Sequence, residues 1–130
     1  MTQSRPLLLC AAVSGFATVA LGAFGAHGLR DLLSSDMLAV WQTAVQYQGL
    51  HSLAMLLTGL LANQWPDVRA IRPAGWLMLL GTLLFSGSLY LMAVSGIRGL
   101  GIITPFGGVA FLAGWATLAY AIYRLPRSVP

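Results

Sequence analysis

The chain has 130 residues, of which 58% are hydrophobic and only 8% charged, whereas a soluble domain carries about a quarter charged residues. This composition excludes an ordinary soluble fold and points to a membrane protein. At about 20 apolar residues per crossing of a roughly 30 Å hydrocarbon core, the length accommodates four helices and no separate soluble domain. The net charge of +4 comes from seven arginines, with no lysine or glutamate and with Asp31, Asp36 and Asp67 as the acids. Because the arginines stand singly or in pairs at segment ends, they read as topology signals and no nucleic-acid partner is expected.

After a polar start carrying Arg5, the run from Leu7 to Ala26 has no charge and predicts the first helix. A secretory signal peptide cleaved near Ala23 or Gly25 is the rival reading, but the run exceeds the roughly 7 to 15 residues of such an apolar region. Cys10 is the lone cysteine, which rules out an internal disulfide. Ala11, Gly15, Thr18, Gly22 and Ala26 recur at helical spacing, with Gly25 beside them, and give a strip of small residues suited to close helix packing. A polar connection follows through Arg30, Asp31, Ser34, Ser35 and Asp36, in which Ser35 or Asp36 is the expected helix cap.

The second helix is expected from about Leu38 or Trp41 to about Ala62. It opens on the stretch Gln42 to Ser52, which places Gln46, Tyr47, Gln48 and His51 in an otherwise apolar segment. In a bilayer these groups find no solvent to bond and need other helices as partners. At about 100° per residue, Tyr47, His51 and Thr58 fall on one face and Gln42, Gln46 and Gly49 roughly opposite. Both faces then need protein neighbours, or Gln42 and Gln46 lie shallow enough to meet water and headgroups. Beyond a connection with Asp67, Arg69 and Arg72, the third helix is expected over 74–95. A glycine-rich turn leads to Thr104 and Pro105, a suitable N-cap and first-turn pair for a fourth helix ending near Tyr123. Gly107, Gly108, Ala110 and Gly114 offer a second small face on it.

With four crossings, Arg5, Arg69, Arg72, Arg124 and Arg127 share one side against Arg30 and Arg98 on the other, which predicts cytoplasmic N- and C-termini. Trp65, Trp76, Tyr120 and Tyr123 then gather at the cytoplasmic interface and Trp41 at the outer one. Counting about 1.5 Å per residue puts His51 near the midplane and His27 at the outer helix end, too far apart in depth to share a haem or metal. No cofactor or metal site is expected. The polar side chains Gln46, Tyr47, Gln48, His51, Ser86, Ser88 and Tyr90 form the candidate site. They are either a small intramembrane pocket or hydrogen-bonded glue between helices.

Four motifs in order, Leu21 to Gly28, Gln46-Tyr47-Gln48 with His51, Leu84 to Tyr90, and Thr104 to Gly108 with Gly114-Trp115, resemble a small bacterial membrane family, domain of unknown function 423, related to transmembrane protein 256 of animals. The resemblance covers nearly the whole chain. It implies a multi-pass protein of the bacterial inner membrane and supplies no established reaction. It also argues against a cleaved leader, since the first motif lies inside the first helix. The expected fold is one all-α integral membrane domain over 1–130, a four-helix bundle of two transmembrane hairpins. The membrane region holds no carboxylate, no lysine and no nucleophile paired with a base, so no enzyme activity is expected. An accessory, structural or lipophilic-ligand-binding subunit fits best, packed among lipid against a larger membrane complex or further copies of itself. An oligomeric small-solute or proton-linked transporter or channel working through His51 is the alternative.

Overall fold

The computed structural model describes residues 4–127 of the chain, and no strand occurs among them. Helix α1 spans Arg5–His27, α2 Ser35–Gln64, α3 Ile71–Ser95 and α4 Thr104–Tyr123, with a short 3-10 turn over Arg98–Ile102 before α4. The termini of these elements follow from local chemistry. Pro6 sits in the first turn of α1, where its missing N–H costs nothing. Ser34, one residue before the expected caps, accepts the Met37 N–H at 3.2 Å, so α2 begins earlier than its apolar pattern does. Pro66 excludes α-helical backbone at Trp65, which takes φ −126° and ψ 71° and ends α2. Gly96, at φ 71°, adopts the left-handed conformation that closes α3. Thr104 does not cap α4; its hydroxyl is instead bonded to Ser88 of α3 at 2.7 Å.

α3 carries an irregularity that the sequence pattern does not announce. Thr82–Ser86 forms a π-helical turn, in which the Gly87 N–H reaches back to the Thr82 carbonyl.

The helices form two antiparallel hairpins, α1 on α2 and α3 on α4, joined where α2 packs along α3. One core cluster draws on all four helices through Leu7, Ala11, Ala54, Met55, Ala74, Met78 and Leu118. Small residues set the close approaches. A β-carbon on Gly25 would meet the Trp41 indole at 2.5 Å, one on Gly114 the Ala74 carbonyl at 3.2 Å, and one on Gly22 the Val45 side chain at 3.3 Å. Gly107 lies directly on the backbone of Phe85 in the π turn. Gly15 and Gly108, from the same two small strips, face open space with nothing within 4 Å. Trp41, expected at a membrane interface, is 5% exposed because Gly25 leaves a slot for its ring. Its Nε1 donates to the Leu21 carbonyl at 2.9 Å.

Many large apolar side chains point outward: Val13, Phe16, Leu53, Leu83 and Leu112 are each more than half exposed, while Ser52, Thr58 and Ser86 are buried. This inversion of the soluble pattern suits a hydrocarbon solvent. Three segments, Arg5–His27, Ile71–Ser95 and Arg98–Tyr123, are long and apolar enough to cross a membrane. α2 is the longest helix at 30 residues, but its polar residues keep it out of that set.

The glycine contacts give a direct stability comparison. Gly107→Val places its side chain on the Phe85 backbone, which cannot yield as a rotamer can, and is expected to cost about 1–3 kcal/mol or more. Gly15→Ala enters open space in mid-helix and is expected to be neutral or to stabilise by up to about 1 kcal/mol. Thermal unfolding followed by circular dichroism in mild detergent checks both, and equal effects would contradict the assigned packing.

Candidate functional site

The expected polar residues do not converge on one pocket. Gln48 with Tyr90 and Tyr47 with His51 fall into two groups on different sides of α2, Ser86 and Ser88 serve other contacts, and Gln46 joins none of these.

The first group lies between α1, α2 and α3. The Tyr90 hydroxyl donates to Gln48 Oε1 at 2.6 Å, and Gln48 Nε2 donates to the Ser14 carbonyl at 3.2 Å and approaches Ser14 Oγ at 3.4 Å. Ser52 Oγ donates to the Gln48 carbonyl at 2.7 Å, so the Ser14 hydroxyl supplies the proton for the 2.6 Å Ser14–Ser52 bond. Every polar hydrogen in this set has an acceptor, and Gln48, Ser14 and Ser52 are buried. The arrangement is a closed brace holding three helices together. Ser86 ties α3 to α2 separately, by donating to the Ala44 carbonyl at 2.8 Å. Ser88 donates to the Phe85 carbonyl at 2.9 Å, leaving Thr104 as the donor in the Ser88–Thr104 pair.

The second group faces α4 and centres on His51, which is only 2% exposed. Trp115 Nε1 lies 3.0 Å from His51 Nε2, and an indole nitrogen can only donate. Nε2 is therefore the acceptor and carries no proton, which leaves Nδ1 as the N–H that donates to the Tyr47 carbonyl at 2.7 Å. The imidazole stacks on Phe111 with centroids 3.5 Å apart and planes at 14°. Tyr47 packs on Phe85 at 4.4 Å. The result is a wall of rings around one satisfied imidazole.

That wall borders an open groove of about 470 Å³ on the outer surface of α2 and α4, lined mainly by Tyr47, Leu50, Phe85, Val109, Leu112 and Trp115 around His51. Gly108 also lines it and leaves part of its depth unfilled. The groove is almost wholly apolar. Its polar edge is Tyr47, which is 42% exposed and whose hydroxyl has no hydrogen-bond partner among the described residues.

Gln46 and Gln42 belong to neither group. Both are exposed on α2, beside a notch of about 220 Å³ that also involves Gly22, Gly25, Ala26, Trp41 and Val45. The residues that sequence reasoning did not select are Ser14 and Ser52, which complete the brace, and Phe111 and Trp115, which hold His51. Spacing gave a signal for the last pair: Phe111 and Trp115 are one turn apart, at the depth of His51.

Comparison with known proteins gives a consistent placement. Residues 21–108 match the family described as protein of unknown function (DUF423). The chain is 43% identical over 120 residues to the UPF0382 membrane protein YwdK of Bacillus subtilis, covering 92% of this chain and 98% of that one. It is 44% identical over 124 residues to the UPF0382 inner membrane protein YgdD of Escherichia coli K12, covering 95% and 94%. Against the UPF0382 membrane protein SH2409 of Staphylococcus haemolyticus the identity is 41% over 117 residues, covering 90% and 94%. No solved structure matches.

The His51 geometry is directly testable by nitrogen-15 NMR of histidine-labelled protein in lipid. Nδ1 is expected to carry the proton and Nε2 to be bare. Trp115→Phe keeps an aromatic ring but removes the donor, so the Nε2 resonance is expected to move and stability to fall by about 1 kcal/mol. A proton on Nε2 in the unaltered protein would contradict the assigned bond.

Proposed function

The chain belongs to the DUF423 family of membrane proteins, to which no activity is assigned, and from its geometry we propose that it is a small accessory subunit that holds a lipophilic molecule in the groove beside His51. In this reading α2 is the fourth crossing, both termini are cytoplasmic, and the protein carries out no covalent chemistry. The observation that carries the proposal is the groove itself. It is about 470 Å³, within the usual range for small-ligand sites, and its lining combines flat aromatic rings with aliphatic side chains. It opens where Val109 and Leu112 are exposed, so a molecule dissolved in the bilayer enters without crossing water.

Several features support binding over proton transfer. Both imidazole nitrogens of His51 are engaged, by Trp115 and by the Tyr47 carbonyl. The neighbours that complete its surroundings are the rings of Phe111, Tyr47 and Trp115. The Gln48 brace is closed on itself and uses Tyr90, Ser14 and Ser52, none of which bonds to His51. A relay needs a continuous run of exchangeable groups; here the polar atoms are separated by aromatic packing.

Gly108 provides the test. A β-carbon there has no atom of the protein within 4 Å and stands at the groove, so Gly108→Leu is expected to enter the groove and keep the fold. Protein purified gently from its own membrane would be analysed by native mass spectrometry and lipid extraction. A small apolar molecule is expected to co-purify with the natural sequence and to be depleted in Gly108→Leu, whose affinity falls about fivefold for about 1 kcal/mol of lost binding. Equal occupancy in the two proteins, or none in either, would overturn the assignment.

A further inference from the structure

Gln42 and Gln46 are amide side chains of α2 that the fold leaves unanswered, on the side of the helix away from the Tyr47 hydroxyl and its groove. Both are exposed, and within the described residues neither has a hydrogen-bond partner. Gln48, His51, Ser52 and Thr58 on the same helix are all buried and bonded.

Their depth makes this consequential, given the proposed crossing by α2. Gly49 lies against Thr18, and Ser52 against Ser14, near the centre of the uncharged run of α1. Gln46 is then about 5 Å and Gln42 about 11 Å from the middle of the span, inside a hydrocarbon half-thickness of about 15 Å. Gln46 is too short to reach the headgroups from that depth. An amide facing acyl chains loses the hydrogen bonds it makes in water and gains none.

We infer that the face of α2 bearing Gln42 and Gln46 is the interface with a second copy of this chain. A primary amide carries both donors and an acceptor, so it is complementary to itself. A two-fold axis along the membrane normal keeps equivalent residues at one depth, and Gln46 of one copy meets Gln46 of the other with both hydrogen-bond directions satisfied. Gln42, one turn away on the same face, repeats the pairing. No acid or basic side chain interrupts the patch, whose remaining lining is Gly22, Gly25, Ala26, Trp41 and Val45. The notch of about 220 Å³ gives the partner's amide side chains room to enter. The same two-fold arrangement leaves the His51 groove, on the α4 side of α2, open to lipid.

The experiment uses the full chain in its own membrane, with Cys10→Ala as background. Gln46→Cys and Gln42→Cys are oxidised with copper phenanthroline, which enters the bilayer and joins two adjacent thiols as a disulfide while oxygen takes the two electrons, beside Leu112→Cys and Leu83→Cys as lipid-facing controls on other helices. Homodimer bands from the glutamine positions, roughly tenfold above the controls, are the expected result. In parallel, native mass spectrometry compares the natural sequence with Gln42→Leu/Gln46→Leu. The double variant removes no hydrogen bond within one chain, so it is expected to fold and to lose roughly tenfold in dimer affinity. A monomeric natural protein, a dimer indifferent to the leucines, or cross-linking only to a different protein would each overturn the inference. Labelling of Gln46→Cys with a membrane-impermeant maleimide separates the dimer from the crossing by α2. A cysteine that stays unlabelled and uncross-linked sinks the dimer alone, whereas one that labels readily sinks the crossing by α2 and the dimer with it.

Discussion

A polar side chain buried away from water has no solvent to bond, and that constraint organises this protein around α2. The helix carries Gln48, His51, Ser52 and Thr58 into the interior, where each is buried and hydrogen-bonded. Meeting their needs takes all three other helices: Ser14 comes from α1, Tyr90 from α3 and Trp115 from α4. The least apolar helix thus shares a side-chain hydrogen bond with each of the other three. The glycines follow from the same requirement, because Gly107 brings the backbones of α3 and α4 together and Gly25 makes room for the Trp41 ring that bonds α1. Many leucines, valines and phenylalanines, Val13, Phe16, Leu53 and Leu112 among them, are left to face outward, where contact with lipid costs nothing.

The two sides of α2 differ in kind. Toward α1 the polar atoms close on one another and leave a sealed brace. Toward α4 the polar content shrinks to one imidazole held by a carbonyl, an indole and a stacked phenyl ring, and an open apolar groove lies beside it. The π turn of α3 lies at this level, with Phe85 of that turn against both Tyr47 and the backbone of Gly107. Rigidity on one side and an accessible groove on the other is the division expected of a binding site supported by a packed scaffold.

The number of helices, their order and the limits of α4 were legible in the sequence because long uncharged runs separated by arginine, proline and glycine leave few alternatives. The need of Gln48 and His51 for partners was legible too. The partners were not. Gln48 and His51 lie on neighbouring faces of one helix, and which helix stands opposite each depends on lateral arrangement, which periodicity does not encode. Grouping Gln46, Gln48 and His51 in a single cluster therefore merged three environments that the fold keeps apart. Thr104 has the composition and position of a cap, but its hydroxyl bonds Ser88 across the helix pair, a tertiary choice that local pattern cannot express. Trp41 follows the same logic: an aromatic near a helix end suggests an interfacial anchor until Gly25 opens a slot for it. The π turn has no signature beyond a run of glycine, threonine and serine that ordinary membrane helices also carry.

The central physical claim is that α2, despite its polar load, spans the bilayer because its neighbours answer that load. It is tested most directly by placing single cysteines at the two ends of α2, Ser35→Cys and Asn63→Cys, in a Cys10→Ala background. Each is probed with a membrane-impermeant maleimide in intact cells and in inverted vesicles. Labelling of Ser35→Cys only from outside and of Asn63→Cys only from the cytoplasmic side is the expected result. Labelling of both from the same side would contradict the fourth crossing and, with it, the depth assigned to His51.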